Sequence, residues 1–311
     1  MQAEMMIELL IKMAFLISIG YVLRRRNVIS EESQGTLSDI LLKVVLPCSI
    51  LSSSAYDFDE SILKSLAFVA IASAGFYSAG LLFMRFLSRR LPISDAKQRV
   101  FTTMTVFANT GFVGFPVMTA LFGQVGLLMA VIYNMMYNVF MYTAGMRILS
   151  GQKKVDLRKI LLNPINIASF VAILVFISPF RIPNLLIAPV SAVGEMSVPL
   201  SMMIMGTSLV RVSFRDLLKD GYSLLASFIR LVVFPLLMLG VMLLVRPEPV
   251  TAAVCILMTA LPCGTMNVIF AEKYDCAPDF ASRAVIQSTV FMSATLFLMS
   301  MLTSYLFPIP R

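Results

Sequence analysis

Apolar runs long enough to cross a bilayer recur along almost the whole chain, and this decides what it can fold into. A helix rises about 1.5 Å per residue, so about 20 apolar residues cross a hydrocarbon core of about 30 Å. Runs of that order occupy 5–23, 36–54, 63–87, 100–121, 125–148, 164–180, 185–210, 222–245, 250–271 and 284–307. Only 14% of the residues are charged, against about 25% in soluble domains, and mean hydropathy is +0.88. So few charges cannot solvate so much apolar chain. A soluble globular fold is excluded, and the chain reads as an all-α polytopic membrane protein of about ten transmembrane helices in a lipid bilayer.

The segments between the runs give the orientation. Eighteen of the 25 basic residues fall in the first, third, fifth, seventh and ninth connections, among them Arg24, Arg25, Arg26, Arg89, Arg147 and Lys273. The opposite side carries Lys64, Arg181, Arg246 and Arg311. Lys and Arg accumulate on the cytoplasmic side, so both termini are expected outside the cytoplasm. The net charge of +8 then reflects loops lying against an anionic leaflet, and no nucleic-acid partner is expected. The first residues, Met1 to Glu8, lack a basic n-region and a small-residue cleavage site; they are read as the start of the first span rather than a signal peptide. The lack of long loops and targeting features favours a bacterial inner membrane.

Composition also removes several chemistries. There is no histidine, so zinc hydrolases and Ser-His nucleophiles lack their ligand or base. Spans without paired deep aspartates offer no acid–base couple, and an enzyme is not expected. Cys48, Cys255, Cys263 and Cys276 have no C-x-x-C spacing and read as small packing residues. The 23 methionines fall at random helical phases, which suits leucine replacement rather than copper handling. No metal or cofactor is expected.

An internal repeat is legible. Leu46-Pro47 in the second span matches Val198-Pro199 in the seventh at an offset of 152, and Asn109-Thr110-Gly111 in the fourth matches Pro262-Cys263-Gly264 in the ninth at 153. Five spans per half is an odd number, so the second half would lie inverted in the membrane. The expected organisation is a first five-helix repeat over 1–148, a basic cytoplasmic linker over 149–163, and an inverted five-helix repeat over 164–311.

The fourth and ninth spans are interrupted near mid-membrane by glycine, proline and amide residues: Asn109, Thr110, Gly111, Gly114 and Pro116 in one, Pro262, Cys263, Gly264, Thr265 and Asn267 in the other. Proline removes a backbone donor and displaces the carbonyl one turn back. Freed backbone groups survive in a membrane only inside protein or beside a watered cavity. Two such spans at corresponding places in two halves point to a transport site. Where broken helices cross, half-helix N-termini present N–H groups and positive dipole ends, suited to a carboxylate, and Asn109, Thr110, Thr265 and Asn267 could add neutral donors.

Charges within spans are rare and usually functional. Lys43 and Glu195 each stand four residues before the matching prolines, so opposite charges occupy equivalent positions. They are candidates for a cavity pair or for proton coupling through Glu195, with Asp39 a local i,i+4 alternative partner for Lys43. Arg230, about 13 Å into the eighth span, is read as a counter-ion for an anionic substrate, as the partner of Glu195, or as a snorkelling or carbonyl-capping arginine. Asn134 and Asn138 share one helix face and either line the cavity or bond between helices.

The run Gly20-Tyr21-Val22-Leu23, the stretch Asn109-Thr110-Gly111-Phe112-Val113-Gly114-Phe115-Pro116, and Leu261-Pro262 followed by Asn267-Val268-Ile269-Phe270-Ala271-Glu272-Lys273-Tyr274 resemble the auxin efflux carrier family, which includes plant auxin exporters and bacterial carriers regarded as malate or malonate permeases. The resemblance runs along the whole chain. It implies two inverted repeats forming a scaffold half and a transport half, elevator-like alternating access, and an organic anion bound where the fourth and ninth spans cross, by Asn109, Thr110, Gly111, Pro116, Pro262, Gly264 and Asn267. Elevator carriers also often pair through their scaffold halves, so a homodimer is compatible with it. Two departures leave the substrate open: the long cytosolic loop of plant members has no counterpart, and Cys263 stands where many relatives carry a hydroxyl residue.

The leading expectation is therefore a secondary transporter of small mono- or dicarboxylates. The alternative is a cation/proton antiporter or sodium-coupled symporter of the same architecture. It would want carboxylates beside the crossover, and 100–121 and 250–271 contain neither Asp nor Glu. Protons or sodium remain open as coupling ions.

Overall fold

The computed structural model describes residues 2–53, 59–151, 162–178, 182–210, 218 and 220–308, without the side chains of 2–7, 9, 10 and 184. Most of the linker expected at 149–163 lies outside the described residues, as do Arg181, Arg211, Arg215, Lys219 and Arg311. Among the described residues the regular structure is entirely helical. Six helices are long and apolar enough to cross a membrane, and the shorter apolar helices Pro164–Ile177 and Pro249–Thr259 add to them.

In chain order the helices are α1 (Gln2–Arg25), α2 (Glu31–Ser53), α3 (Glu60–Ser88), α4 (Asp95–Val106), α5 (110–122), α6 (124–150), α7 (Pro164–Ile177), α8 (Asn184–Gly194), α9 (Ser197–Leu209), α10 (Gly221–Val245), α11 (Pro249–Thr259), α12 (Thr265–Lys273) and α13 (Pro278–Leu306). Their boundaries have local causes. Side chains of Ser30, Ser94, Asn163 and Asp220 accept first-turn N–H groups, satisfying donors that a helix start leaves without intrahelical acceptors. Proline occupies the first turn of α7, α11 and α13, where its missing N–H costs nothing. Gly123, at φ 62° and ψ −147°, breaks the run 110–150 into α5 and α6; an L side chain at that φ would be strained.

Prolines inside the helices leave a second mark. Widened five-residue turns occupy Leu41–Val45, Thr110–Gly114 and Ile229–Val233, each ending two residues before Pro47, Pro116 or Pro235. Proline cannot donate to the carbonyl four residues back, and a wider turn re-pairs the neighbouring groups. The prolines matched by the repeat act differently. Pro47 follows a widened turn in a continuous helix, whereas Pro199, which cannot donate to the Glu195 carbonyl, follows the interruption between α8 and α9.

The chain divides into two compact units, one formed by Met1–Leu66, Gly111–Ile132 and Leu161–Val212, the other by Ala67–Thr110, Tyr133–Ile160 and Ser213–Arg311. Each unit draws on both halves of the sequence. In the first, α1 packs along α9 with backbones in close approach: a Cβ on Gly20 would overlap Met203, and one on Gly206 would overlap Ile17. Small residues allow such contacts between membrane helices. The second unit contains residues 107–110 and 260–264 of the two interrupted spans, and Phe101, Met104, Val254 and Ile256 of the helices leading into them are fully buried. Outward, Ile71, Leu82 and Leu244 stand exposed, as a lipid-facing surface requires.

Candidate functional site

Residues 107–110 of one interrupted span and 260–264 of the other lie in the second unit and are joined there. Helix α4 ends at Val106 and Phe107 turns extended, at φ −97° and ψ 106°. Helix α11 ends at Thr259, and α12 begins after Gly264, itself at φ −74° and ψ 133°. The extended residues run antiparallel. The Asn109 N–H donates to the Pro262 carbonyl at 2.8 Å, the Gly264 N–H donates to the Phe107 carbonyl at 2.9 Å, and Ala108 faces Cys263 across the resulting bridge. Backbone groups that the interruptions remove from helical ladders thus pair with each other, which a buried break requires. Nothing larger than glycine fits at 264: a Cβ there would lie 2.8 Å from the Ala108 carbonyl oxygen and 3.0 Å from that of Phe107.

The carbonyls at the ends of α4 and α11 have a different partner. Arg230, fully buried on α10, donates from Nε to Leu261 at 2.9 Å, from Nη1 to Thr105 at 3.2 Å and Val106 at 2.9 Å, and from Nη2 to Met258 at 3.5 Å and Thr259 at 2.6 Å. One guanidinium so spans two helix C-termini. Each terminus carries roughly half a negative charge, so two together offset the buried cation without a carboxylate. Of the roles considered for Arg230, carbonyl capping is the one its contacts display. The ring of Phe76 lies 5.7 Å from the guanidinium carbon.

Asn267, in the first turn of α12, is fully buried. Its Nδ2 donates to the Phe107 carbonyl at 3.2 Å and to the Gly264 carbonyl at 3.0 Å. Those two acceptors fix the amide orientation and leave Oδ1 a buried acceptor with no donor among the described residues. Cys263 is buried, and its N–H donates to Ser288 Oγ at 3.0 Å. Thr110 Oγ1 donates to Asn134 Oδ1 at 2.6 Å, so Asn134 bonds between helices; Asn138 is buried on the same helix. Asn109 and Thr265 are half-buried.

The structure therefore gathers Asn109, Thr110, Pro262, Cys263, Gly264, Thr265, Asn267, Arg230 and Asn134 in one unit. Gly111, Gly114 and Pro116 follow directly in the chain, on α5, and belong to the first unit. So do Asp39, Lys43 and Glu195. Lys43 Nζ bonds Asp39 Oδ2 at 2.7 Å, one helical turn away and exposed from the protein. Glu195 is exposed at the α8–α9 junction.

An aromatic cluster behind the bridge was not signalled by motif or spacing. Tyr77 packs against Phe107, Tyr133 and Phe140 at centroid distances of 5.7, 5.7 and 5.6 Å. Tyr137 meets Phe107 edge-on at 5.6 Å, and the Tyr133 hydroxyl lies 3.3 Å from Thr259 Oγ1. The i,i+4 pair Tyr133 and Tyr137 beside Asn134 and Asn138 was the available hint of an inward helix face.

Comparison with known proteins gives a family. A family model described as "Membrane transport protein" matches residues 5–300. An uncharacterized transporter of Methanothermobacter thermautotrophicus is 24% identical over 302 residues, covering 93% of this chain and 95% of the relative. The uncharacterized transporter MJ1031 of Methanocaldococcus jannaschii is 22% identical, covering 89% and 92%. The protein ECM3 of Saccharomyces cerevisiae is 24% identical over 84 residues, 27% of this chain and 14% of the relative.

Proposed function

Given that the chain belongs to the membrane transport protein family, that of the auxin efflux carriers, we propose that this integral membrane transporter is a secondary carrier of small organic anions, mono- or dicarboxylates, bound where its fourth and ninth spans cross. The observation that carries this reading is the paired interruption. Residues 107–109 and 262–264 are tied by two backbone hydrogen bonds, and helices begin directly after them at Thr110 and Thr265. First-turn N–H groups have no intrahelical acceptors, and each helix N-terminus supplies about half a positive charge. The opposite pole, at the ends of α4 and α11, is neutralised by Arg230. Charge is thereby arranged so that an anion is favoured on the N-terminal side alone.

The rest of the proposal is architectural. Ten spans form two inverted repeats, 1–148 and 164–311, with both termini outside a bacterial inner membrane. The unit containing α1, α2 and α7–α9 serves as scaffold, and the unit containing α4 and α10–α13 carries the substrate in elevator-like alternating access. Support comes from the way each compact unit draws corresponding spans from both halves. A homodimer would form through the scaffold. Lys43, paired with Asp39, and Glu195 would provide counter-charge or proton coupling.

One observation favours a second reading, a sodium-coupled symporter or cation antiporter. Asn267 Oδ1 is a buried acceptor without a donor among the described residues, and acceptors attract cations or protonated groups rather than carboxylates.

Thermal stabilisation of the purified protein by a panel of small acids and cations separates the readings, since a ligand binding the native state raises stability with occupancy. A carboxylate that stabilises wild type and not Asn109→Ala supports the anion site. Response to sodium, lithium or pH alone replaces it with the cation reading.

A further inference from the structure

We propose that the second unit carries another anion site, specific for phosphate groups, at the basic ends of α3, α4 and α6. A cavity of about 500 Å³ there is lined by four arginines: Arg85 of α3, Arg89 in the turn just past its end, Arg99 of α4 and Arg147 of α6. Asp95 is the one carboxylate among the described lining residues, and it already pairs with Arg99 Nε at 3.0 Å. The lining thus carries a net charge of about +3. Guanidiniums held together repel unless an anion sits among them, and a bidentate fork matches phosphate oxygens.

Charge and size select the ligand class. A phosphate monoester carries about −1.5 to −2 and offers enough oxygens for several forks, which a single carboxylate does not. The cavity falls within the roughly 300–1,000 Å³ typical of small-molecule sites, so it takes a phosphate with an organic substituent. Monoester phosphates of this kind occur both in soluble phosphorylated metabolites and in the headgroup of phosphatidic acid. The position is independent of the crossover. Arg99 stands seven residues before Val106, about 10 Å of helix, and none of the four arginines touches the bridge. A fixed anion there would cross-link α3, α4 and α6, the helices that carry Tyr77 and Tyr133 and lead into Phe107.

The test is calorimetric titration of the full-length protein, delipidated in neutral detergent, with three probes: glycerol 1-phosphate, dihexanoyl phosphatidic acid and tricarballylate. Arg89→Gln/Arg147→Gln is compared with Arg25→Gln/Arg26→Gln, which removes the same charge elsewhere. The expected result is phosphate binding weakened by about tenfold or more in the cavity variant, as loss of charge-assisted bonds implies, and changed by less than about twofold in the control. Binding of glycerol 1-phosphate identifies a soluble ligand, and binding of the lipid alone identifies a headgroup; either supports the site. Binding of no phosphate probe, equal loss in the control pair, or tricarballylate binding as tightly with the same variant sensitivity overturns it. Should the Gln variant fail to fold, Arg89→Lys/Arg147→Lys keeps the charge and removes the forks. Phosphate affinity must then fall by about tenfold, and unchanged affinity overturns the proposal.

Discussion

The N–H of Gly264 donates to the carbonyl of Phe107 across 2.9 Å, joining two segments 157 residues apart at the point where each has ceased to be helical. The closeness of that contact determines the residue. Alanine at 264 would press its Cβ against the carbonyls of Ala108 and Phe107, both backbone atoms that cannot rotate away. Gly264→Ala is expected to lower stability by about 1–3 kcal/mol and to abolish anion-dependent stabilisation. Gly75 is the control, because nothing lies within 4 Å of its added Cβ. Gly75→Ala should leave the melting temperature unchanged or raised. Equal melting temperatures for the two variants would show that the bridge does not constrain position 264.

Arg230 yields a prediction of graded loss. Its side chain satisfies five carbonyls, and an unsatisfied buried acceptor costs about 1–3 kcal/mol. Arg230→Met leaves all five without a donor and is expected to destabilise by about 3–5 kcal/mol or to prevent folding. Arg230→Lys retains the charge with three donors in place of a planar fork and should fall between Met and wild type. Denaturant titrations of the three proteins decide this. If Met and Lys behave alike, charge is not what the helix ends require.

These two residues also separate what the sequence made legible from what it did not. The interruptions could be read because glycine, proline and asparagine stand in otherwise unbroken apolar spans, where local chemistry alone forbids a regular helix. The boundary at Gly123 lies in the gap between the expected spans 100–121 and 125–148. The seventh span, 185–210, is one apolar span over Leu185–Leu209, and the local break before Pro199, at Glu195, is a detail that the run of apolar residues does not show. The role of Arg230 was not legible in the same way. Which carbonyls meet its guanidinium depends on how α4, α10 and α11 converge, and nothing near residue 230 encodes that. The widened turn at 229–233 could have been anticipated from Pro235. The stacking of Tyr77 on Phe107 could not, since it joins a helix to an extended segment that only the packing brings beside it.

Cys276 gives a prediction in pH. It sits in the turn after α12, with its Sγ 3.5 Å from the Ala96 carbonyl oxygen. Burial raises its pKa above that of a free thiol, with Asp95 and Asp275 adding to the effect and Arg99 opposing it. A raised pKa means less thiolate at any pH below it, and the thiolate is the nucleophile. In a Cys48→Ser background, maleimide labelling of Cys276 at neutral pH should be slower than that of a model thiol. Its rate should rise about tenfold per pH unit and keep rising past the point where the model thiol levels off. A labelling rate that levels off below that point would reverse the sign.

The pair Asp39 and Lys43 allows stability and transport to be separated. Both side chains are exposed from the protein, and they bond one turn apart on α2. Exposed i,i+4 pairs contribute little, at most about 0.5 kcal/mol after screening. Asp39→Asn and Lys43→Gln should therefore each melt within a degree or two of wild type. The widened turn at Leu41–Val45 holds Lys43 just before Pro47, on a helix of the unit proposed as scaffold. If Lys43 supplies counter-charge along the anion's path, Lys43→Gln slows carboxylate uptake into proteoliposomes by about tenfold while melting stays put, and Lys43→Arg restores most of it. Asp39→Asn frees the lysine from its partner and should raise uptake or leave it unchanged. Equal slowing by Asp39→Asn and Lys43→Gln would instead mean that the pair acts as a unit in positioning α2, and the lysine would lose its assignment as a counter-charge.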